Sequence, residues 1–388
     1  MRLIFIILIC ATCPRIFAQQ PDDAANAARK MAEVLYNVER FYVDAPNTNI
    51  LSEAAIIALL EELDPHSTYI PKEDLDDAQM TINGSFVGIG VRFQLMKDTI
   101  SVVATIPGGP SEKLGILPGD QIVQVDGQNV AGIGIKNDQV RQKLMGDLGT
   151  KVKVTVNRKG KLLDFNITRD KIPVFSVDAA YMINDSVGYI KIDRFADRTY
   201  EAFMQALDPM VQKGMKALVI DLRGNGGGLL SEAVAIADEL IPGNRLLVYT
   251  QGAHAPRVDY NSKREGLFEQ GKLTVWMDES SASASEVLAG ALQDWDRATI
   301  VGTRSFGKGL VQQQFRLSNG GALRLTTAKY YTPLGRNIQR SYEKGKLEYE
   351  HAYLNRIQED AAGLQDSSVK GKAFKTPQGK LVYGGGGI

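Results

Sequence analysis

The chain is 388 residues long, which exceeds one ordinary domain and predicts two or three. Its apolar fraction of 44% and charged fraction of 23% are typical of a globular protein. Basic and acidic residues both number 45, so the formal net charge is zero. No basic block or aromatic-interleaved basic patch stands out, so electrostatics give no reason to expect a nucleic-acid partner.

The N-terminus has the pattern of a secretory signal peptide. Arg2 precedes an apolar run that lasts to Cys13, and Ala18 is a small residue before Gln19. Arg15 interrupts the run, which is shorter than the roughly 20 apolar residues of a membrane span. We therefore expect a leader over residues 1–18 and a protein exported to the periplasm or cell envelope, with no membrane span after cleavage. A retained membrane anchor is the alternative.

Removal of this leader would leave no cysteine, because Cys10 and Cys13 both lie within it. A cysteine nucleophile, a thiolate metal site and a disulfide are then excluded from the mature chain. The three histidines form no H-E-x-x-H motif. We expect neither a metal nor a cofactor.

Residues 19–80 have the pattern of a helical N-terminal section. Apolar side chains recur at helical spacing from Met31 to Val38, and a second apolar stretch covers Ala54–Leu63. The string LDPHSTYIP at residues 63–71 carries two prolines and short polar residues, which predict a loop. The helical section leaves homo-oligomerisation open, although apolar stripes more often pack within their own domain.

Residues 81–170 change to short alternating strands with frequent glycine. The string GSFVGIGVRF at residues 84–93 places glycines at the start of a strand, where backbone amides can approach a ligand closely. The string at residues 108–130 predicts a short helix, a turn, a strand and an Asp126-Gly127 turn, and a further helix follows. An extended peptide could add to the glycine-flanked strand, with its terminal carboxylate on the amides. A small β-barrel without a ligand is the alternative.

This segment resembles a PDZ domain, and FVGIG resembles the carboxylate-binding loop of that domain. The resemblance implies that Gly88, Ile89 and Gly90 bind the C-terminal end of a substrate. It also implies that Val140 and Leu144 line the side-chain pocket.

Residues 171–388 alternate strand-like and helix-like segments, which predicts a largely parallel α/β sheet. The helical patterns lie around residues 199–213, 229–240 and 285–293. The strand-like apolar runs are Val187–Ile192, Ala217–Leu222, Leu273–Met277 and Thr299–Val301.

The string DLRGNGGGLL at residues 221–230 follows one of these strands directly. Serial glycines before a helix can turn backbone amides toward one point, which suits an oxyanion or a phosphate. The dinucleotide spacing G-x-G-x-x-G fails at Leu229. A structural tight turn is the alternative.

The string SSASASEVLAGAL at residues 280–292 places Ser283 before an apolar helix. Ser283 and Glu286 have the spacing of a capping box, which is the ordinary interpretation. However, small alanines flank Ser283 and leave room for a substrate backbone. At a helix start Ser283 could attack a carbonyl, and the amide of Ala284 could receive the developing charge.

The string GTRSFGKGLVQQQF at residues 302–315 nearly matches the phosphate-binding G-x-x-x-x-G-K-[ST] motif. Residue 309 is glycine, and the following LVQQQFRL alternates like a strand, so a nucleotide site is not favoured. Lys308 could instead serve as a general base for Ser283, because burial lowers the pKa of a lysine. Gln312 could orient its amine without adding charge.

Together these strings resemble the carboxy-terminal processing peptidases, the tail-specific serine proteases of family S41. LDPHSTYI, the PDZ-like segment, DLRGNGGGLL, SASASEVLAGAL, GTRSFGKGLVQQ and KYYTPLGRNIQ occur in the order of that family. The resemblance implies an α/β protease core with a ClpP/crotonase-like mixed sheet at residues 171–388, a helical N-terminal section and an inserted β-rich PDZ-like domain.

The resemblance also implies roles for single residues. Ser283 is the expected nucleophile, Lys308 the base and Gln312 its support, with oxyanion donors at the amides of Ala284 and Gly227. Gly226 stands where the family usually has proline, which makes the turn less rigid. The expected partners are proteins bound by their C-terminal tails. An inactive PDZ-type adaptor of the cell envelope is the alternative function.

Overall fold

A computed structural model describes residues 23–75, 78–79, 84–361 and 371–388. The expected leader at residues 1–18 lies outside these ranges, as do both cysteines. Within the described ranges, no helix is long and apolar enough to cross a membrane.

The chain divides into two compact units, residues 1–60 and 61–388. The described part of the first unit contains two helices, α1 at Asp23–Phe41 and α2 at Thr48–Glu61. The last residue of α2 belongs to the second unit. The side-chain oxygen of Asn47 accepts the backbone N–H groups of Asn49 and Ile50, so Asn47 caps the start of α2.

The second unit begins with a segment that was predicted as a loop and is only partly one. Thr68–Ile70 form a short strand, β1, followed by a single 3₁₀ turn at Lys72–Asp74. Tyr69 and Ile70 are two adjacent apolar residues, and so short a run does not predict a strand. Its pairing partner, Ala322–Arg324, is a distant segment that local pattern cannot show.

Residues 85–173 form a β-rich domain with its own core. An antiparallel sheet has the order β3-β4-β5-β7-β8, β6 pairs with β5, and β2 pairs with β9. The elements are β2 Ser85–Gly88, β3 Val91–Met96, β4 Thr99–Thr105, α3 Pro110–Lys113, β5 Gln121–Val125, β6 Gln128–Asn129, α4 Asn137–Leu144, β7 Lys151–Arg158, β8 Lys161–Thr168 and β9 Asp170–Pro173. The predicted Asp126-Gly127 turn joins β5 to β6 with positive φ at both residues, +49° and +75°.

A five-stranded sheet forms the centre of the last part of the chain. Its order is β10-β11-β12-β15-β16, and all neighbours are parallel except the antiparallel β10–β11 pair. The strands are β10 Val177–Asn184, β11 Val187–Ile192, β12 Ala217–Asp221, β15 Lys272–Met277 and β16 Thr299–Gly302. The four strands predicted from apolar runs are all present, within one residue at each end.

Three helices connect these strands: α5 Thr199–Gln212, α6 Leu230–Asp238 and α7 Ala284–Asp294. They pack with the parallel strands into one large apolar cluster, in which Phe203, Ile236 and Leu288 are fully buried. Each such side chain contributes about 1.5–3 kcal/mol through removal of apolar surface from water. The N-terminus of α7 is therefore fixed by a well-packed helix.

A second, antiparallel sheet lies outside the predicted α/β pattern. Its order is β1-β18-β13-β14, and β17 also pairs with β18. Its other strands are β13 Leu246–Gln251, β14 Val258–Asn261, β17 Leu310–Arg316 and β18 Ala322–Tyr331. The chain continues through α8 Lys346–Ala361 and a hairpin of β19 Ala373–Lys375 and β20 Leu381–Tyr383.

Candidate functional site

Ser283 lies at the turn that leads into α7. Its φ is +55°, a conformation that is uncommon for a residue other than glycine and that costs of order 1–3 kcal/mol. Ala284 is the first residue of α7, so its amide lies among the helix-start N–H groups that have no partner within the helix. The turn therefore holds a serine hydroxyl beside helix-start amides.

Glu286 ties this turn to the segment that carries Lys308. Its side chain is fully buried and accepts the N–H groups of Ser283 at 2.7 Å, Gly307 at 2.6 Å and Lys308 at 2.9 Å. It also accepts the hydroxyl of Ser305 at 2.6 Å. Burial raises the pKa of Glu286, and these four hydrogen bonds oppose that shift.

These contacts also decide against the phosphate-binding interpretation of GTRSFGKG. In such a loop the backbone amides surround a phosphate, but here the amides of Gly307 and Lys308 bind the Glu286 carboxylate. The segment then continues into strand β17 rather than a helix.

Tyr330 joins the same two segments through their carbonyl groups. Its buried hydroxyl lies within hydrogen-bond distance of the carbonyl oxygens of Ser283, at 3.1 Å, and of Lys308. Burial raises the pKa of Tyr330 well above its ordinary value, so the phenol stays protonated and can donate. Ser283 and Lys308 are thus held together through both their N–H and C=O groups.

The Lys308 amine is largely buried and donates a hydrogen bond to Gln312 Oε1 at 2.9 Å. Burial lowers the pKa of Lys308, and the positive charge of Arg324 lowers it further, although Asp64 and Glu286 act in the opposite direction. Gln312 in turn donates from Nε2 to the carbonyl oxygen of His66. The amide therefore has a fixed orientation, with its oxygen toward the lysine.

His66 supports this arrangement through its backbone. Burial, followed by the charge of Lys308, lowers the pKa of His66 to about 4, so the ring is neutral near pH 7. The ring hydrogen-bonds Tyr349 Oη at 3.1 Å. Asp64 accepts the N–H groups of His66 and Ser67, which fixes the turn and with it the His66 carbonyl oxygen that accepts the Gln312 N–H.

The other two histidines, His254 and His351, are exposed.

The glycine turn after β12 lies against the Ser283 turn. A Cβ on Gly227 would lie 2.6 Å from the Ala282 carbonyl oxygen and 2.7 Å from Ser283 Cβ, so only glycine fits. Buried Asn225 fixes the turn: Oδ1 accepts the Gly227 N–H at 2.9 Å, and Nδ2 donates to the Ile192 carbonyl at 2.8 Å. The Gly227 amide is thus engaged inside the turn.

One cavity of about 690 Å³ brings the predicted catalytic residues together. Ser283, Ala284, Gly227, Lys308 and Gln312 all line it. Within the described part of the chain, the Lys308 amine hydrogen-bonds Gln312 rather than the Ser283 hydroxyl. The same described ranges contain no group of His, Cys, Asp or Glu side chains arranged to hold a metal ion.

Three of the five predicted tail-binding residues line a second cavity, of about 330 Å³, in the β-rich domain, and Gly88 and Val140 do not. Ile89, Gly90 and Leu144 line it, beside strand β3, which is at the edge of its sheet. Gly88 is the last residue of β2. Val140 is fully buried in the core of the domain and is not among the lining residues.

Sequence reasoning missed several residues that hold the site together. Glu286 was interpreted only as a helix cap, and Asn225, Tyr330 and the carbonyl of His66 were not singled out. The spacing of Ser283 and Glu286 was the one local indication. The other contacts join segments far apart in the chain, which no local pattern predicts.

Comparison with known proteins decides the family. Residues 186–345 match peptidase family S41, and residues 87–168 match the PDZ domain. Over 317 residues the chain is 38% identical to a carboxy-terminal-processing protease of Bartonella bacilliformis, covering 80% of this chain and 72% of that protein. The chain belongs to peptidase family S41. The family resemblance inferred from the motifs is confirmed.

Other S41 relatives agree. A CtpA-like serine protease of Staphylococcus haemolyticus is 34% identical over 318 residues, which cover 81% of this chain and 63% of that protein. The chain thus spans less than two thirds of the staphylococcal relative. The match to the structure of an S41 protease from Bacteroides fragilis covers 89% of this chain and 99% of that protein's chain. The TM-score is 0.50 and the sequence identity is 16%. This similarity confirms the predicted fold class.

Proposed function

We propose that this chain is a serine endopeptidase in which Ser283 is the nucleophile and Lys308 is the general base. The observation that carries the proposal is the shared cavity, in which the buried Lys308 amine lies with Ser283 and is oriented by Gln312. Its lowered pKa favours the neutral amine that a base must be. Membership of a peptidase family supports the same reaction.

In the proposed reaction, neutral Lys308 takes the proton of the Ser283 hydroxyl as the oxygen attacks the peptide carbonyl carbon. The protonated lysine then gives this proton to the leaving amine, and the C–N bond breaks. Water, deprotonated by the same lysine, hydrolyses the acyl-enzyme and returns Ser283 to its starting form. Gln312 stays neutral throughout, so it orients the amine without stabilising its charged form as a carboxylate would.

The developing oxyanion would be stabilised by backbone amides. The Ala284 amide at the start of α7 is one proposed donor. Gly227 is the other, and its N–H must first leave Asn225 Oδ1, to which it is bonded at 2.9 Å. The oxyanion site is therefore completed only when the glycine turn adjusts around a substrate.

The PDZ domain would select substrates by their C-terminal tails. A tail would add as a strand to the edge of β3, with its carboxylate at the amides of Gly88, Ile89 and Gly90 and its side chain beside Leu144. Val140 would support this pocket from the core beneath it. We also propose export through the leader at residues 1–18, which would deliver the enzyme to the periplasm or cell envelope.

The test is hydrolysis of an unstructured protein with an apolar C-terminal tail by purified residues 19–388. We expect cleavage by the unsubstituted protein and none by Ser283→Ala or Lys308→Ala, with tail binding retained in both. Ser280→Ala is the matched control, because Ser280 is exposed and lies three residues before Ser283. Unchanged hydrolysis by Ser283→Ala would refute the proposal. Tail binding without any cleavage would favour the adaptor function.

A further inference from the structure

Two arginines border the apolar groove of the PDZ domain. Phe86, Ile89 and Leu144 supply apolar lining, while Arg141 comes from α4 and Arg194 comes from the protease core. No aspartate or glutamate of the described residues lines this groove. The groove therefore combines apolar walls with uncompensated positive charge, which suits a ligand that is apolar with a negative group.

Arg194 differs from the other cations around it. It follows the end of β11 by two residues, and it lines the catalytic cavity as well as the groove, so the two spaces adjoin at this side chain. It is partly buried, and within the described part of the chain its Nε atom is buried without a hydrogen-bond partner. Arg194 thus has at least one N–H donor that no described protein group accepts.

Neighbouring cations are already committed to other contacts. Lys191 pairs with Asp193 at 3.2 Å, and Arg198 pairs with Glu201 at 2.6 Å. Arg169 donates to the carbonyl oxygens of Leu144 and Lys143 at the end of α4. Of the arginines that face the groove, Arg141 is exposed and can keep its charge hydrated, whereas Arg194 cannot do so fully.

We propose that Arg194 binds the terminal carboxylate of the substrate tail. This inference rests on the proposed function of the PDZ domain and names the residue that recognises the free C-terminus. A guanidinium presents planar N–H donors that match the two oxygens of a carboxylate. Phe86 and Ile89, which share the groove with Arg194, belong to the same FVGIG loop whose amides are the other proposed donors to the tail carboxylate. A residue of the protease core thereby completes the binding site of the PDZ domain.

The experiment compares one peptide in two forms, with a free C-terminal carboxylate and with a C-terminal amide. The peptide ends in an apolar residue and contains no aspartate or glutamate, so the terminal carboxylate is its only negative group. Binding is measured by fluorescence anisotropy in the Ser283→Ala protein, which removes the proposed nucleophile, alone and combined with Arg194→Gln, Arg141→Gln or Arg198→Gln. Arg198→Gln is the matched control, because Arg198 is exposed and already paired with Glu201.

We expect the parent protein to bind the acid about tenfold or more tightly than the amide, as a charge-assisted hydrogen bond predicts. Arg194→Gln should weaken binding of the acid about tenfold and leave binding of the amide unchanged, so that only the preference supplied by the Gly88, Ile89 and Gly90 amides remains. Arg198→Gln should preserve the ratio.

Four results would overturn the inference. Three concern the variants: an unchanged ratio of acid to amide binding in Arg194→Gln, equal weakening of both forms, or a ratio lost only in Arg141→Gln. The fourth is failure of the parent protein to bind either form. None of these results decides the proposed protease activity, which is measured separately by hydrolysis with and without Ser283.

Discussion

At the scale of single residues, Glu286 has two structural roles, of which the sequence indicates only one. The predicted role as a helix cap is present in the structure, because Glu286 accepts the Ser283 N–H. The same carboxylate also accepts the amides of Gly307 and Lys308. One buried side chain therefore caps α7 and holds the proposed nucleophile and base in register, and removing it would leave several buried donors without partners.

The ionisation of Lys308 gives a prediction at this scale. Activity should fall as the pH falls through the pKa of Lys308, because protonation removes the base. Arg324 lowers this pKa by repulsion, so Arg324→Gln should raise it and move the acidic limb of kcat/KM to higher pH. A shift of roughly half a unit to one unit is reasonable for a nearby charge at an effective dielectric constant of about 20.

The pH profile of kcat/KM for hydrolysis of a tail peptide measures this shift. Arg316→Gln is the control, since Arg316 is exposed on the neighbouring strand β17, and it should leave the limb in place. A limb that moves to lower pH in Arg324→Gln, or a profile that stays flat to pH 5, would contradict Lys308 as the base.

At the scale of elements, the glycine turn after β12 and the Ser283 turn are fitted against each other. Gly227 has φ +99°, and a Cβ there would contact the Ala282 carbonyl oxygen and Ser283. A Cβ on Gly226 would meet no atom within 4 Å. Two adjacent glycines therefore tolerate substitution very differently, although the sequence string GNGGG does not distinguish them.

We predict that Gly227→Ala lowers kcat at least about 100-fold, because it displaces a proposed oxyanion donor and the nucleophile turn. It should also destabilise the fold by about 1–3 kcal/mol through its strained φ. Gly226→Ala should change the free energy of unfolding by no more than about 0.5 kcal/mol. Urea denaturation and steady-state kinetics of both variants test this contrast. Equal effects of the two substitutions would contradict the proposed role of Gly227.

The segment from residue 63 to residue 71 illustrates the limit of local prediction for an element. Its prolines and polar residues correctly indicate irregular backbone around Asp64 and His66. They do not reveal that Thr68–Ile70 pair with β18, or that the His66 carbonyl orients Gln312. Both contacts depend on segments far away in the chain.

At the scale of the whole molecule, the sequence predicts those strands and helices whose buried residues form a clear pattern within one short segment. The parallel strands β11, β12, β15 and β16 are predicted closely because buried parallel strands are uninterrupted apolar runs. The helices between them follow from their apolar periodicity. The second sheet is predicted only in part. The alternation of LVQQQFRL indicates β17, but the pairing of β1 and of β13 with β18 joins segments far apart in the chain, which local pattern cannot show.

The same distinction applies to the candidate site. Ser283, Lys308 and Gln312 were found from short strings with chemically distinctive residues, and the structure brings them to one cavity. The groups that position them, including Asn225 and Tyr330, are contributed by packing between the two sheets and α7. Arg194 is likewise a residue that local pattern cannot identify, because its position beside the PDZ groove depends on how the PDZ domain packs on the protease core.

The central claim is that Ser283 is a nucleophile activated by Lys308, and covalent labelling tests it most directly. A fluorophosphonate that reacts with activated serines is added to purified residues 19–388, and the adduct is located by peptide mass spectrometry. We predict an adduct on Ser283 that is retained in Ser280→Ala. Its rate of formation should fall about 100-fold or more in Lys308→Ala, as for loss of a general base. An adduct on a different serine, or an undiminished rate in Lys308→Ala, would contradict the claim.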